Sequence, residues 1–202
     1  MTVVLLFGGR RAPRPLRAVP GVAVGTGSAA TEAIDAATAT NGRVVVVGSP
    51  ADLAAVLTRL LKTERLDVEV AHVRRSFRAR RALTGAAQRI PLIRDETGTV
   101  LVGAARWLPP PEADGLVGEG IVDDSVLFDG TVTEVRIEPI PTVPGLRARV
   151  LMPRSSRTGW LVGRAAQLGT TGASVVRDGV PVPRPVRRST FYRHIQGWLR
   201  VS

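Results

Sequence analysis

Cysteine is absent from this chain, which excludes disulfides and thiolate metal sites and suits a cytoplasmic protein. Lysine occurs once, at Lys62, so almost all of the positive charge is arginine. The two histidines, His72 and His194, lie far apart in sequence, and without cysteine they make a weak case for zinc. No metal site is expected. Aromatic residues are only 4% of the chain, so the core is expected to need most of them. No apolar run approaches the roughly 20 residues of a membrane helix. The apolar start, Met1 to Phe7, has no basic region before it and runs into Gly8-Gly9-Arg10-Arg11, so it reads as a first strand and not a signal peptide. No Gly-x-Ser-x-Gly elbow marks a serine hydrolase.

What remains is a folding composition, 44% hydrophobic and 22% charged, with enough apolar material for one domain or two small ones. The net charge of +11 has two readings. Arginine forks suit phosphates, which points to a phosphorylated small molecule, an anionic lipid surface or nucleic acid. An Ala/Arg/Val/Gly-rich chain poor in lysine is also what GC-rich coding produces, and then the charge is a solvated surface. Nothing in the pattern argues for a homo-oligomer.

The plan of the first third is clearest from Arg43 to Val73. Arg43-Val44-Val45-Val46-Val47 is a β-branched run bounded by Asn41-Gly42 and Gly48, a buried strand. Ser49-Pro50-Ala51-Asp52 supplies an N-cap hydroxyl, a proline at the first helical position and a carboxylate. Leu53, Val56, Leu57, Leu60 and Leu61 then form one helical stripe. Val68 to Val73 alternates as a second strand, completing a right-handed β-α-β unit. Before it, Thr2 to Phe7 is a strand, Arg10 to Arg17 a basic proline-broken loop, and Ala29 to Ala39 a helix with Ala30, Ala33, Ile34 and Ala37 on its packing face. Asn41-Gly42 ends that helix.

After an arginine-rich stretch from Arg74 to Arg89 the pattern changes to short strands. Hairpins are expected at Ile90–Ala104 around Asp95 to Gly98, at Ser125–Glu138 around Asp129-Gly130, and at Ala173–Arg188 around Asp178-Gly179. Leu146 to Met152 is a further strand, and Trp198 to Val201 closes the chain. The fold class is therefore α/β followed by all-β, with a small parallel-sheet segment over 1–85 and an antiparallel β-sandwich over 86–202.

Two sets of residues are candidates for binding. Open α/β sheets take ligands at the carboxyl ends of their strands, which singles out Gly8, Gly9, Arg10 and Arg11 after the first strand. Gly48 and Ser49 at a strand-to-helix turn can aim N–H groups at an anion; the alternative is an ordinary capped helix. For nucleic acid the set is Arg74, Arg75, Arg78 and Arg81 on a short basic helix, with Arg187 and Arg193 beside Phe191, Tyr192 and Trp198. The alternative there is that the aromatics are core and the arginines face water. Asp123-Asp124 reads as the polar turn before Ser125 and Asp178 as a turn residue. No catalytic residue is identified.

The element order, with Val175-Val176-Arg177-Asp178-Gly179-Val180-Pro181 near its end, resembles the diacylglycerol kinase and NAD kinase-like superfamily. Members often carry a V-x-x-D-G-E-P turn there; here Val180 replaces the glutamate. The resemblance implies an N-terminal α/β domain followed by a β-sandwich. The family's nucleotide-binding Gly-Gly-Asp-Gly-Thr turn corresponds here to Gly48-Ser49-Pro50-Ala51-Asp52, which does not match it, and its glycine-threonine-glycine-asparagine-aspartate turn has no counterpart after Val73. A kinase cradles phosphates and holds Mg²⁺ through carboxylates. The expectation is a degenerate, non-catalytic relative binding a phosphorylated ligand or anionic partner. ATP and Mg²⁺ would be cofactors only of an active lipid kinase.

Overall fold

The computed structural model describes residues 1–39, 42–74, 79–151 and 159–202. They form two compact units, Met1–Ile90 with Gln196–Ser202, and Pro91–Ile195.

The first unit opens with β1 (Thr2–Phe7), a short strand β2 (Gly21–Val24) and α1 (Ser28–Ala39), followed by β3 (Arg43–Val47), α2 (Pro50–Lys62) and β4 (Glu69–Val73). α3 (Ala79–Thr84) and β5 (Ala87–Ile90) complete its first segment. β1 and β3 have the bounds their apolar runs imply, and Val44, Val45 and Val46 are fully buried, as expected of a strand covered on both faces. On α2 the stripe Leu53, Val56, Leu57 and Leu60 is buried, each side chain contributing roughly 1.5–3 kcal/mol. Arg59 grips Asp35 through two bonds of 2.6 Å and ties α2 to α1. On α1, Ile34 and Ala37 are buried, while Ala30 and Ala33 are half-buried. Asn41, expected to end this helix, lies outside the described residues, as do Arg75, Phe77, Arg78 and Met152.

The second unit is antiparallel throughout. Its strands are β6 (Ile93–Asp95), β7 (Val100–Leu101), β8 (Ala105–Leu108), β9 (Leu116–Val122), β10 (Ser125–Val132), β11 (Glu134–Pro139) and β12 (Leu146–Leu151), then β13 (Leu161–Gly163), β14 (Ala165–Arg177), β15 (Val180–Pro181) and β16 (Val186–Arg193). The order across the sheet is β13-β12-β11-β8-β14-β16-β6-β7, with β9 and β10 joined through β14. β14 is the hub: Ala166 to Gly169 lie between β9 and β16, while Ser174 to Arg177 pair with β8. One apolar cluster underlies these strands, with Trp107, Leu116, Ile137 and Phe191 fully buried.

The expected hairpins fare differently. β6 and β7 pair around Asp95 to Gly98, but the strand does not begin at Ile90, because Pro91 separates β5 from β6. Asp178-Gly179 is a two-residue turn with both φ angles positive, 50° and 87°, and β15 folds back on β14. Pro183 and Pro185 end that return, so Val180 to Arg188 is not one strand. Asp129-Gly130 is no turn. Phe128 and Val132, four residues apart, both point inward and keep β10 continuous through it. The turn falls instead at Asp123-Asp124, where Asp123 adopts φ 48° and its carboxylate accepts the Arg164 and Ala165 N–H groups.

The last strand, β17 (Trp198–Val201), departs most from the sequence expectation. It does not close the all-β segment but enters the first sheet, parallel to β4 and antiparallel to β5. That sheet then reads β2-β1-β3-β4-β17-β5. Trp198 and Val201 are buried there, so the four-residue strand both covers the open edge of β4 and carries β5.

Candidate functional site

The parallel strands of the first sheet all end on one edge. Leu6 is in register with Val47, Val47 with Val73, and Phe7 with Val24. The residues that follow, Gly8-Gly9, Gly48-Ser49 and Arg74, are therefore neighbours along that edge. After β1 the chain goes to β2 on one side; after β3 it goes to β4 on the other. The change of direction lies between β1 and β3, the place where such sheets bind ligands. Gly8, Gly9, Arg10 and Arg11 on one side, and Gly48 and Ser49 on the other, flank it.

Gly8 and Gly9 have φ 61° and 67°, and the Arg10 N–H donates to the Phe7 carbonyl at 3.2 Å to close the turn. No atom would meet a Cβ at either position, so the glycines answer to backbone conformation and not to crowding. All four residues, Gly8 to Arg11, are exposed. The loop beyond is anchored by Leu16, which is fully buried.

The turn after β3 is more crowded. A Cβ on Gly48 would lie 2.6 Å from Asp52 Oδ2, so glycine is required there. Asp52 Oδ2 accepts the Ser49 N–H at 2.7 Å and the Ser49 hydroxyl at 2.8 Å, while Ser49 Oγ accepts the Asp52 N–H at 3.2 Å. This is a reciprocal capping box. It places a carboxylate against the positive end of α2, where a bound phosphate would otherwise be stabilised. Pro50 supplies no N–H. His72 on β4 completes the turn, its Nε2 3.1 Å from the Gly48 carbonyl. Burial pushes its pKa down, against that hydrogen bond, so the ring is neutral near pH 7 and donates Nε2–H to the carbonyl. The sequence marked Asp52 as the carboxylate of the helix start and not as a site residue, and it did not place His72 at this turn. The Ser-Pro-Ala-Asp spacing was the available signal for the first; nothing local marked the second.

The arginines of the nucleic-acid reading are divided between the two units. Arg74 and Arg81 are exposed in the first unit, on the end of β4 and on a helix of only six residues. Arg75 and Arg78 lie outside the described residues. Arg187 and Arg193 belong to β16 of the second unit. Their expected stacking partner Phe191 is fully buried against Trp107, and Trp198 is buried in the first unit. These aromatics are core because β16 turns Ser189 and Phe191 inward, where Ser189 Oγ accepts the Trp107 Nε1–H at 3.0 Å. Tyr192 is half-buried under the Arg94 guanidinium, 4.6 Å from its centre.

Asp178 accepts N–H bonds from Val102, Gly103 and Ala104 at 3.0, 2.5 and 3.2 Å. Burial pushes its pKa up, and these three bonds act against the rise. Its role in the described structure is to stitch that loop to the turn. Among the described residues, no three His, Asp or Glu side chains converge as a metal site would require.

No family model matches the sequence, nor does any curated protein. Solved structures do match by fold. A diacylglycerol kinase from Bacillus anthracis str. Sterne is 10% identical with a TM-score of 0.73, the alignment covering 99% of this chain and 96% of that one. An NAD kinase from Archaeoglobus fulgidus in complex with ATP is 10% identical with a TM-score of 0.67, over 100% and 94%. A yeast NADH kinase complexed with NADH is 9% identical with a TM-score of 0.66, over 100% and 83%. From the parallel sheet that receives the last strand to the antiparallel unit built around β14, this chain has the diacylglycerol kinase and NAD kinase-like fold.

Proposed function

We infer that this chain binds a phosphorylated small molecule at the carboxyl edge of its parallel sheet and does not transfer a phosphoryl group. The observation that carries the reading is the meeting of an open, left-handed Gly8-Gly9 turn and two exposed arginines with the point where the sheet changes direction. Glycines there let a phosphate approach the backbone, and Arg10 and Arg11 supply forked donors to its oxygens. Two structural neighbours were solved with ATP and with NADH, which are ligands of this chemical kind.

The capping box supports the non-catalytic half of the reading. At the β3–α2 turn the Ser49 N–H and hydroxyl are already engaged by Asp52. Gly48 and Ser49 thus wall the site, and Gly8 to Arg11 make the contacts. The test is thermal unfolding of the full chain with ATP, with and without Mg²⁺, beside an assay for transfer of labelled γ-phosphate to diacylglycerol or NAD. Stabilisation without transfer, lost in Arg10→Ala/Arg11→Ala, is expected. Transfer above background would establish an active lipid or NAD kinase and retire the non-catalytic reading; equal stabilisation of the double variant would retire the site.

A further inference from the structure

The second unit carries a different basic surface on the outward face of β8, β11 and β12. Ala105 and Trp107, Val135 and Ile137, and Ala148 and Val150 point into the core, so the residues between them point out. Arg106 pairs in register with Arg136, and Arg136 with Arg149. Three guanidinium side chains thus start side by side from adjacent strands about 4.8 Å apart. Glu138 stands opposite Arg147 in the next row.

Two carboxylates serve this face. Glu134 takes Arg106 through two bonds of 2.5 and 2.6 Å. Glu138 takes Arg136 at 2.6 Å and Arg147 at 2.7 Å. Those hydrogen bonds, against an opposing effect of burial that is the largest single influence, hold the Glu138 pKa below its ordinary value and keep the carboxylate charged. Arg149 has no carboxylate partner among the described residues, and its buried Nε has no hydrogen-bond partner there. Its guanidinium instead lies 4.5 Å from the centre of the Trp160 ring, with Arg147 4.2 Å from the same centre. Four arginines against two glutamates leave the face positive, and Trp160 is half-buried beside it.

We propose that this face binds single-stranded nucleic acid, with Arg106, Arg136 and Arg149 tracking phosphates and the Trp160 ring with its guanidinium partners stacking a base. Charge complementarity selects a polyanion. Guanidinium groups lying over an indole ring on a sheet face favour one that carries bases, because stacking needs a π surface beside the phosphate contacts. The glutamates hold the forks in place: Arg106 and Arg147 each commit Nε and one terminal nitrogen, so the other terminal nitrogen can donate outward. This surface belongs to the second unit and the Gly8–Arg11 edge to the first, so the proposal does not rest on the reading of that edge.

The experiment is fluorescence anisotropy of labelled oligo(dT) with the full chain across a salt series, together with intrinsic tryptophan emission. Of the three tryptophans, Trp107 and Trp198 are buried, so quenching on binding reports Trp160. Single strands give a slope of log K against log salt of about −0.7 per phosphate contact, so a slope between about −2 and −3 is expected. Arg136→Gln/Arg149→Gln should weaken binding at least tenfold, and Trp160→Leu should abolish the quench, with melting temperatures confirming that both variants fold. Arg184→Gln/Arg188→Gln, exposed in the same unit, removes the same charge and should change affinity less than twofold. Equal losses in the Arg184/Arg188 control would overturn the proposal by showing bulk charge alone. Polyphosphate or phosphatidylserine vesicles binding as tightly as oligo(dT), with no quench, would overturn it in favour of a general anionic surface.

Discussion

The two units hold their charged groups in different ways. In the parallel unit, polar residues gather at strand ends, where loops are free to carry them: Gly8 to Arg11 after β1, Ser49 with Asp52 after β3. In the antiparallel unit the charged side chains stand on the sheet itself, in the Arg106–Arg136–Arg149 row with Glu134 and Glu138 beside it. The difference follows from burial. β3 is covered on both faces, and after Arg43 at its start it is a run of four buried valines. β11 alternates Val135 and Ile137 inward with Arg136 and Glu138 outward, and so displays a face. A ligand at the edge of the first unit would meet backbone and loop; a partner on the second would meet a patterned surface.

The largest effect that should separate the units comes from the last strand. Removing 198–202 strips β4 of its neighbour and detaches β5. Amide exchange in β1, β3 and β4 should rise by orders of magnitude, while β8, β11 and β14 keep their protection. Uniform loss throughout would mean that the two units unfold as one.

Next in size is the core of the second unit. Trp107 is fully buried and its Nε1–H donates to Ser189, so Trp107→Ala should cost about 3–5 kcal/mol in denaturant unfolding. A loss under about 1 kcal/mol would place the ring outside the core.

At the strand ends a smaller cost is expected. Asp52→Ala removes half of the capping box and should destabilise by about 1 kcal/mol. It also frees the Ser49 N–H, so phosphate binding at that turn should strengthen. Unchanged binding would show that the carboxylate does not compete with a ligand.

The smallest effect is a pH dependence. Burial depresses the His72 pKa, so the native state binds this proton less readily than the unfolded chain. The stability this contributes is present above the unfolded value of about 6.5 and is lost as pH falls through the lower folded value. His72→Gln should flatten the unfolding free energy of the first unit between about pH 7 and 5. In the second unit, Glu138 and its two arginines contribute in the same sense at lower pH, through the carboxylate range.

How much of this was legible in the sequence depended on whether the signal was local. The bounds of β1 and β3 and the capped start of α2 follow from β-branched runs and cap chemistry within a few residues. The Asp178-Gly179 turn follows from two residues that tolerate positive φ. The Asp129-Gly130 turn failed because the same dipeptide sits mid-strand when inward residues continue on both sides. β17 was legible as a strand but not as a member of the first sheet, since nothing near Trp198 names a partner more than a hundred residues away. The candidate edge came together because parallel strands must end together. The arginine row was invisible, because cross-strand register decides which outward residues stand side by side.

The central claim is that phosphate meets the Gly8-Gly9 turn and the two arginines after it. Backbone amide NMR of the ¹⁵N-labelled chain, titrated with inorganic pyrophosphate, tests this most directly. Saturable shifts at Gly8, Gly9, Arg10 and Arg11, absent in Arg10→Ala/Arg11→Ala, are the expected result. Shifts confined to other residues, or none at millimolar pyrophosphate, would contradict it.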